Sequence, residues 1–144
     1  MASSAHNPDI VSKLPGSTRF IVASAEVLYY GNYTAIDTAD GLLYNFDGSV
    51  ATHVPAGFVM EDGSLDANIT GDGATVAALV TAVEIDTQVA VVGVTGIGDV
   101  LSAVYATDDN TFTLTPTTAG AVGKVMKFLS GTNVLVRFAG VTAV

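Results

Sequence analysis

Residues 104–138 constrain the fold of this chain most strongly, because short runs of β-forming side chains alternate there with turn signals. The stretch reads V-Y-A-T-D-D-N-T-F-T-L-T-P, then a Gly/Ala turn, then V-G-K-V-M-K-F-L-S-G-T-N-V-L-V-R-F. Turns are predicted at residues 107–110 and 130–133, where Asp, Asn, Ser and Gly favour hydrogen-bonded turn conformations. Strands this short, separated by tight turns, are typical of a small all-β domain.

The first of these turns predicts a hairpin. Asp108, Asp109 and Asn110 can accept hydrogen bonds from their own backbone in Asx turns, and they tolerate left-handed conformations. Side chains in the following T-F-T-L-T run alternate between the two faces of a strand, which places Phe112 and Leu114 on the buried face. We therefore interpret these five residues as a structural turn and hairpin.

The β pattern extends over most of the chain before this hairpin. Residues 20–46 contain F-I-V-A, V-L-Y-Y-G-N-Y-T-A-I-D and G-L-L-Y-N-F, separated by Gly-containing breaks, and residues 57–60 form another short β-like run. Residues 75–84 fit a helical stripe and a strand alternation equally well, and their β-branched content favours a strand. We predict an all-β fold, a small β-barrel or β-sandwich with an extended N-terminal arm.

The beginning of the chain differs from the rest. We assign residues 1–22 to the arm and residues 23–144 to the barrel or sandwich domain. Pro8 and Pro15 each restrict the preceding residue to extended conformations, so helix is not expected there. Such an arm is either disordered or ordered only on a partner.

The first residues lack the pattern of a signal peptide. Glu84 and Asp86 interrupt the most apolar window, so no membrane span is predicted.

Charge is unevenly distributed along the sequence. The chain has 49% hydrophobic but only 13% charged residues and a formal net charge of −9. Residues 20–123 contain thirteen of the 14 acids and no Lys or Arg, which argues against nucleic acid binding. The acids form either a solvated exterior or the acidic side of a polarised subunit whose basic ends face an acidic partner. The basic residues are Lys13, Arg19, Lys124, Lys127 and Arg137.

The side chains that catalysis and metal binding require are scarce. There are 2 His and no Cys, so a zinc site and a Ser-His-Asp triad are both disfavoured, and His53 is predicted to be a loop residue. The adjacent acids at positions 61–62 and 108–109 point to opposite faces or to water, which disfavours glycoside chemistry. We predict no enzyme, no catalytic residue and no cofactor.

Two further clusters allow a ligand interpretation. The loop acids near positions 62–72 could bind calcium, but they lack the spacing of an EF-hand, so we predict a solvated loop and no metal. Four of the 5 Tyr lie between positions 29 and 44, where they form either a sugar-binding surface or part of the core and interface.

The segment V-Y-A-T-D-D-N-T-F-T-L-T resembles the head decoration, or capsid cement, proteins of tailed phages. In that group a segment of this form follows a V-x-V-T-G-[LI] strand, and the likeness continues here through V-G-x-V to the closing V-L-V-R-F at residues 134–138. The resemblance covers roughly residues 27–138. One departure is G-D-V-L-S at residues 98–102, where members of the group usually have D-V-G-K.

The resemblance implies a structural virion protein on the outer surface of the capsid, or head. It would stabilise contacts between major capsid proteins, as a homotrimer at local three-fold positions, without binding nucleic acid or membrane. We also expect the N-terminal arm to lie along the capsid. The candidate capsid-binding arm residues are Pro8, Ile10, Val11, Lys13, Leu14, Pro15 and Arg19.

Two alternatives share the same composition. A tail or fibre module of a phage particle would also be rich in Thr, Gly and β-forming residues, although long fibres tend to contain repeats and none is found here. A carbohydrate-binding β module would use the Tyr cluster.

Overall fold

A computed structural model of the chain describes residues 17–60 and 68–140, which form twelve β-strands and a short 3₁₀ helix at Ile97–Asp99. The strands are β1 (Thr18–Ile21), β2 (Val27–Tyr29), β3 (Tyr33–Asp37), β4 (Leu43–Asn45), β5 (His53–Phe58), β6 (Asn68–Thr70), β7 (Ala77–Val80), β8 (Ile85–Val92), β9 (Ala103–Ala106), β10 (Phe112–Thr113), β11 (Ala121–Ser130) and β12 (Asn133–Phe138).

Five of these strands close into a barrel in the order β9, β10, β8, β12 and β11, with β11 pairing back onto β9. The β8–β10 pair is parallel and the other four pairs are antiparallel. Alternation along β12 buries Val134, Val136 and Phe138 inside the barrel and leaves Leu135 and Arg137 on its outer face. Closure pairs both edges of the barrel sheet, and unpaired edges are what expose open sheets to aggregation.

The remaining strands form three small sheets beside the barrel. β1 pairs with β7, β2 pairs with β6, and β3 lies between β4 and β5. Their apolar side chains make a second core, separate from that of the barrel. The buried members of this core are Val22, Leu28, Leu43, Ala56, Val59, Ala78, Val80 and Ala82.

An aromatic cluster belongs to both parts of the fold. Tyr33, on β3, is fully buried, and its ring centroid lies 5.3 Å from that of Phe46 and 5.0 Å from that of Phe58. The same ring lies 5.6 Å from Phe112 and 5.3 Å from Phe138, which are barrel residues. The small sheet therefore packs onto the barrel through side chains of the barrel core itself.

The predicted fold class is confirmed, since the chain is all-β and contains a closed five-stranded barrel. Within residues 75–84 the chain forms strand β7, as the β-branched content predicted. The strand predicted at residues 57–60 lies earlier, at His53–Phe58. No helix within the described ranges has the length and apolarity needed to cross a lipid bilayer.

The predicted boundary at residue 22 lies too late in the chain. Thr18–Ile21 pair with Ala77–Val80, and Val22 is fully buried in the second core. The β-like run that begins at residue 20 indicates part of this strand, but its partner lies about sixty positions away, and pairing over that separation has no local signal. Residues 1–16 of the predicted arm lie outside the described residues.

Candidate functional site

The turn at residues 107–111 carries the acids of the sequence motif. Asn110 N–H donates to Asp108 Oδ1 at 3.0 Å, which is an Asx turn, and Thr107 N–H donates to the Thr111 carbonyl at 2.9 Å. The Asp109 carbonyl accepts a hydrogen bond from the Tyr33 amide at 2.8 Å, so the turn is attached to the small sheet. Partial burial raises the pKa of Asp109, and the neighbouring Asp108 charge adds to the shift.

The strand after this turn is shorter than predicted. Only Phe112–Thr113 pair as β10, and both side chains are buried, so the alternation predicted for residues 111–115 is wrong. Thr113 tolerates burial because its Oγ1 accepts a hydrogen bond from the Thr115 amide. Leu114 is half-buried and packs against the barrel core, while its amide donates to the Val92 carbonyl at 3.0 Å.

His53 is a strand residue and not the predicted loop residue. It begins β5 and is only 5% exposed. Its Nδ1 accepts a hydrogen bond from the Asp47 amide at 3.1 Å, and its Nε2 lies 3.7 Å from Asp37 Oδ2. The Ala39 amide, the Thr52 hydroxyl and the His53 ring together lower the pKa of Asp37. Each polar contact of the imidazole therefore fixes a neighbouring turn.

Of the predicted arm residues, the structure describes Arg19. It lies in β1 opposite Leu79, on an exposed part of that strand. Pro8, Ile10, Val11, Lys13, Leu14 and Pro15 lie outside the described residues, as do the loop acids at positions 61, 62 and 66. The described part of the chain contains no group of three His, Cys, Asp or Glu side chains placed to hold a metal ion.

Three basic residues lie on one side of the barrel, on the outer surface of β11 and β12, which we call the basic face. Lys124 pairs in register with Arg137, and Arg137 pairs with Asp86 on β8. The Arg137 guanidinium donates two hydrogen bonds to the Asp86 carboxylate, at 2.7 and 3.0 Å, and this contact lowers the pKa of Asp86. Lys127 pairs with Leu135 in the next row.

An open groove of about 430 Å³ runs along the basic face. Leu101, at one wall, is 63% exposed, and Ile97 in the adjoining 3₁₀ helix is 78% exposed. The backbone of Leu101 is left-handed, with φ of 75°, a conformation that costs a side-chain-bearing residue about 1 kcal/mol. The Leu101 amide donates a hydrogen bond to the Val125 carbonyl at 2.7 Å, and this bond holds the Leu101 backbone in place. The lining includes Glu84, Leu101, Lys124, Met126, Arg137 and Ala139.

A second, more apolar groove of about 480 Å³ lies between the barrel and the small sheets. Its lining includes Tyr30, which is 55% exposed, together with Phe58 and Phe112. Asp109 and Asn110 from the motif turn add polar groups to its rim. The predicted Tyr cluster is thus divided, since Tyr29 and Tyr30 are exposed whereas Tyr33 is in the core.

No protein-family model matches the sequence, and no curated protein or solved structure is significantly similar to it.

The sequence did not predict the exposed Ile97 and Leu101. The available signal was the departure at residues 98–102, where Leu stands at the left-handed position.

Proposed function

We propose that this chain is a structural virion protein that binds the outer surface of an assembled phage capsid and stabilises contacts between major capsid proteins. In this proposal it acts as a homotrimer at local three-fold positions. The observation that carries the proposal is the position of the motif segment. The residues that resemble phage decoration proteins form the β9–β10 hairpin, which closes the barrel, and their turn is bonded to the small sheet.

The motif acids support a structural interpretation of this segment. Asp108 accepts a hydrogen bond from the backbone of its own turn, and the Asp109 backbone receives the Tyr33 amide. Phe112 then enters the aromatic cluster. A segment bonded in this way contributes rigidity to the fold. A protein that holds shell subunits together requires a rigid body more than a reactive group.

The architecture also supports adhesion to a large assembly. A closed barrel and a small sheet joined by aromatic rings form a compact module, in which the contact residues of one face keep fixed relative positions. Three such modules on one capsid would bind multivalently, so modest contacts of each copy would combine into tight attachment.

Co-sedimentation tests this proposal. The purified chain would be mixed with empty phage heads stripped of decoration protein, and the heads would be pelleted through a cushion. We expect the chain in the pellet at a saturating ratio of three copies per local three-fold position. Recovery in the supernatant at every concentration would contradict the proposal.

One observation favours a second candidate, a carbohydrate-binding module. Exposed Tyr30 lines the apolar groove together with Asp109 and Asn110. Aromatic rings stack on sugar faces, while carboxylates and amides bind sugar hydroxyls. Glycan-array binding that is lost in Tyr30→Ala would favour this candidate, and an array without signal would exclude it for the glycans displayed.

A further inference from the structure

The basic face differs in charge from the rest of the described surface. Lys124, Lys127 and Arg137 lie on adjacent positions of β11 and β12, whereas Arg19 is the fourth described basic residue and lies on β1 in another sheet. A chain with a net charge of −9 is repelled by an acidic partner unless it presents such a face. The position of these residues therefore indicates which side can approach an acidic surface.

Two of the three cations are available for a partner. Arg137 is engaged with Asp86 through two hydrogen bonds. Lys124 and Lys127 are exposed and have no ion pair within residues 17–60 and 68–140. Glu84 also lines the groove, so the face has a small positive excess that the two lysines supply.

An exposed apolar side chain lies in the same groove as Lys124. Leu101 shares the groove with Lys124, and Ile97 precedes it on the 3₁₀ segment. Both side chains are exposed, and Leu101 has left-handed backbone in addition. A leucine that is both strained and exposed does not stabilise the isolated fold, and strained residues concentrate where a protein contacts its ligands.

The chain's own acids fit this face poorly. Six described aspartates already accept backbone amide hydrogen bonds within their own turns, which fixes the orientation of their carboxylates. These six carboxylates are therefore less free to turn toward Lys124 and Lys127 of a second copy. The six are Asp37, Asp40, Asp47, Asp72, Asp99 and Asp108.

We infer that the basic face, with Lys124 and Lys127 and with Leu101 in the adjoining groove, is the surface that docks on the capsid. Its occupant is an acidic surface of the major capsid protein with an apolar contact beside the carboxylates. This inference rests on the proposed function and adds the side of the molecule and the chemistry of the partner.

The test compares two double variants that make the chain equally more negative. Lys124→Gln with Lys127→Gln removes the two free cations, and Ala51→Asp with Thr118→Asp adds two charges at exposed positions outside the face. Leu101→Ser removes the apolar contact separately. Affinity for empty phage heads would be measured by co-sedimentation at about 50 mM and about 500 mM salt, which differ strongly in screening. Thermal melts would verify that each variant is folded.

We expect the lysine variant to bind about tenfold more weakly at low salt, with a smaller difference at high salt, because exposed ion pairs are individually modest and screened. The Asp control should stay within about twofold of the parent, and Leu101→Ser should bind more weakly at both salt concentrations. Equal losses in both double variants would overturn the inference, as would unchanged binding of the lysine variant while the parent still binds. Failure of the parent to bind would instead overturn the proposed function together with the inference.

Discussion

The ring of Tyr33 lies 5.3 Å from the ring of Phe138, and this contact joins the central strand of a small sheet to the last strand of the barrel. Both side chains are fully buried. Aromatic pairs at this separation are stabilising beyond the area that they bury. The barrel and the small sheet are consequently expected to unfold together.

Tyr33 provides the first prediction. Its hydroxyl is buried and has no hydrogen-bond partner among the described residues. Tyr33→Phe removes this unsatisfied group and should leave the free energy of unfolding unchanged or raise it by about 1 kcal/mol. Tyr33→Ala should lower it by about 3–5 kcal/mol, because the cavity would open at the junction of the two parts. Urea unfolding measures both, and a destabilising Tyr33→Phe would contradict this account.

The same side chain predicts alkaline sensitivity. Burial raises the pKa of Tyr33 above its usual value near 10, so the folded state holds its proton more tightly than the unfolded state. The resulting contribution to stability is complete below about pH 10 and is lost as the pH rises above it. Thermal melts between about pH 8 and about pH 12 should show this loss in the parent.

Tyr33→Phe is the control for this pH dependence and should flatten it. Some dependence should remain, because a hydrogen bond to Asp40 raises the pKa of Tyr44 to about 12. Parallel curves for the parent and for Tyr33→Phe would show that Tyr33 does not carry the effect.

Asp72 provides a prediction at acidic pH. Its Oδ1 accepts the amides of Ala74, Thr75 and Val76, at 2.9, 2.7 and 3.0 Å, just before β7. The Thr75 hydroxyl and these amides hold the pKa of Asp72 well below its usual value. Its contribution to stability is therefore present above pH 3.8, the unfolded value, and is lost as the pH falls below it.

Asp72→Ala should lower the melting temperature at neutral pH, and the difference from the parent should shrink toward about pH 2. Asp72→Asn keeps one acceptor oxygen, so its melting temperature should lie between those of the parent and Asp72→Ala. If Asp72→Ala has the same melting temperature as the parent at neutral pH, the three amide contacts do not stabilise this turn.

Leu101 allows folding and binding to be separated. Glycine adopts the left-handed conformation without strain. It also raises the conformational entropy of the unfolded chain, and this lowers stability by about 1 kcal/mol, which is comparable to the strain removed. Leu101→Gly should therefore leave the free energy of unfolding nearly unchanged while weakening capsid binding. Leu101→Ala keeps the strain and should bind as weakly without any gain in stability. A large destabilisation in Leu101→Gly would show that the side chain serves the fold.

Local sequence signals predicted the all-β class, strand β7 and the Asx turn at Asp108. These depend on side-chain type and short spacing, which are visible within a few residues. Strand β1 was assigned to the arm because its partner β7 is remote in sequence. The sequence predicts a strand of alternating burial over residues 111–115, but only Phe112 and Thr113 of that run pair with the parallel strand β8.

The candidate site was less predictable. The three basic residues were noted as a group, but their common face depends on the register of β11 with β12 and includes bulges that the sequence does not reveal. His53 is buried in contact with Asp37, at the end of β3, and with Asp47, which lies just before a turn. Such relationships are established by tertiary packing and cannot be read from a single segment.

Negative-stain electron microscopy of empty phage heads mixed with the purified chain would show directly whether the chain binds the capsid. We expect additional density on the outer surface of the heads at local three-fold positions, present with the parent chain and reduced with Lys124→Gln/Lys127→Gln. Heads that look identical with and without a saturating amount of the chain would contradict this expectation.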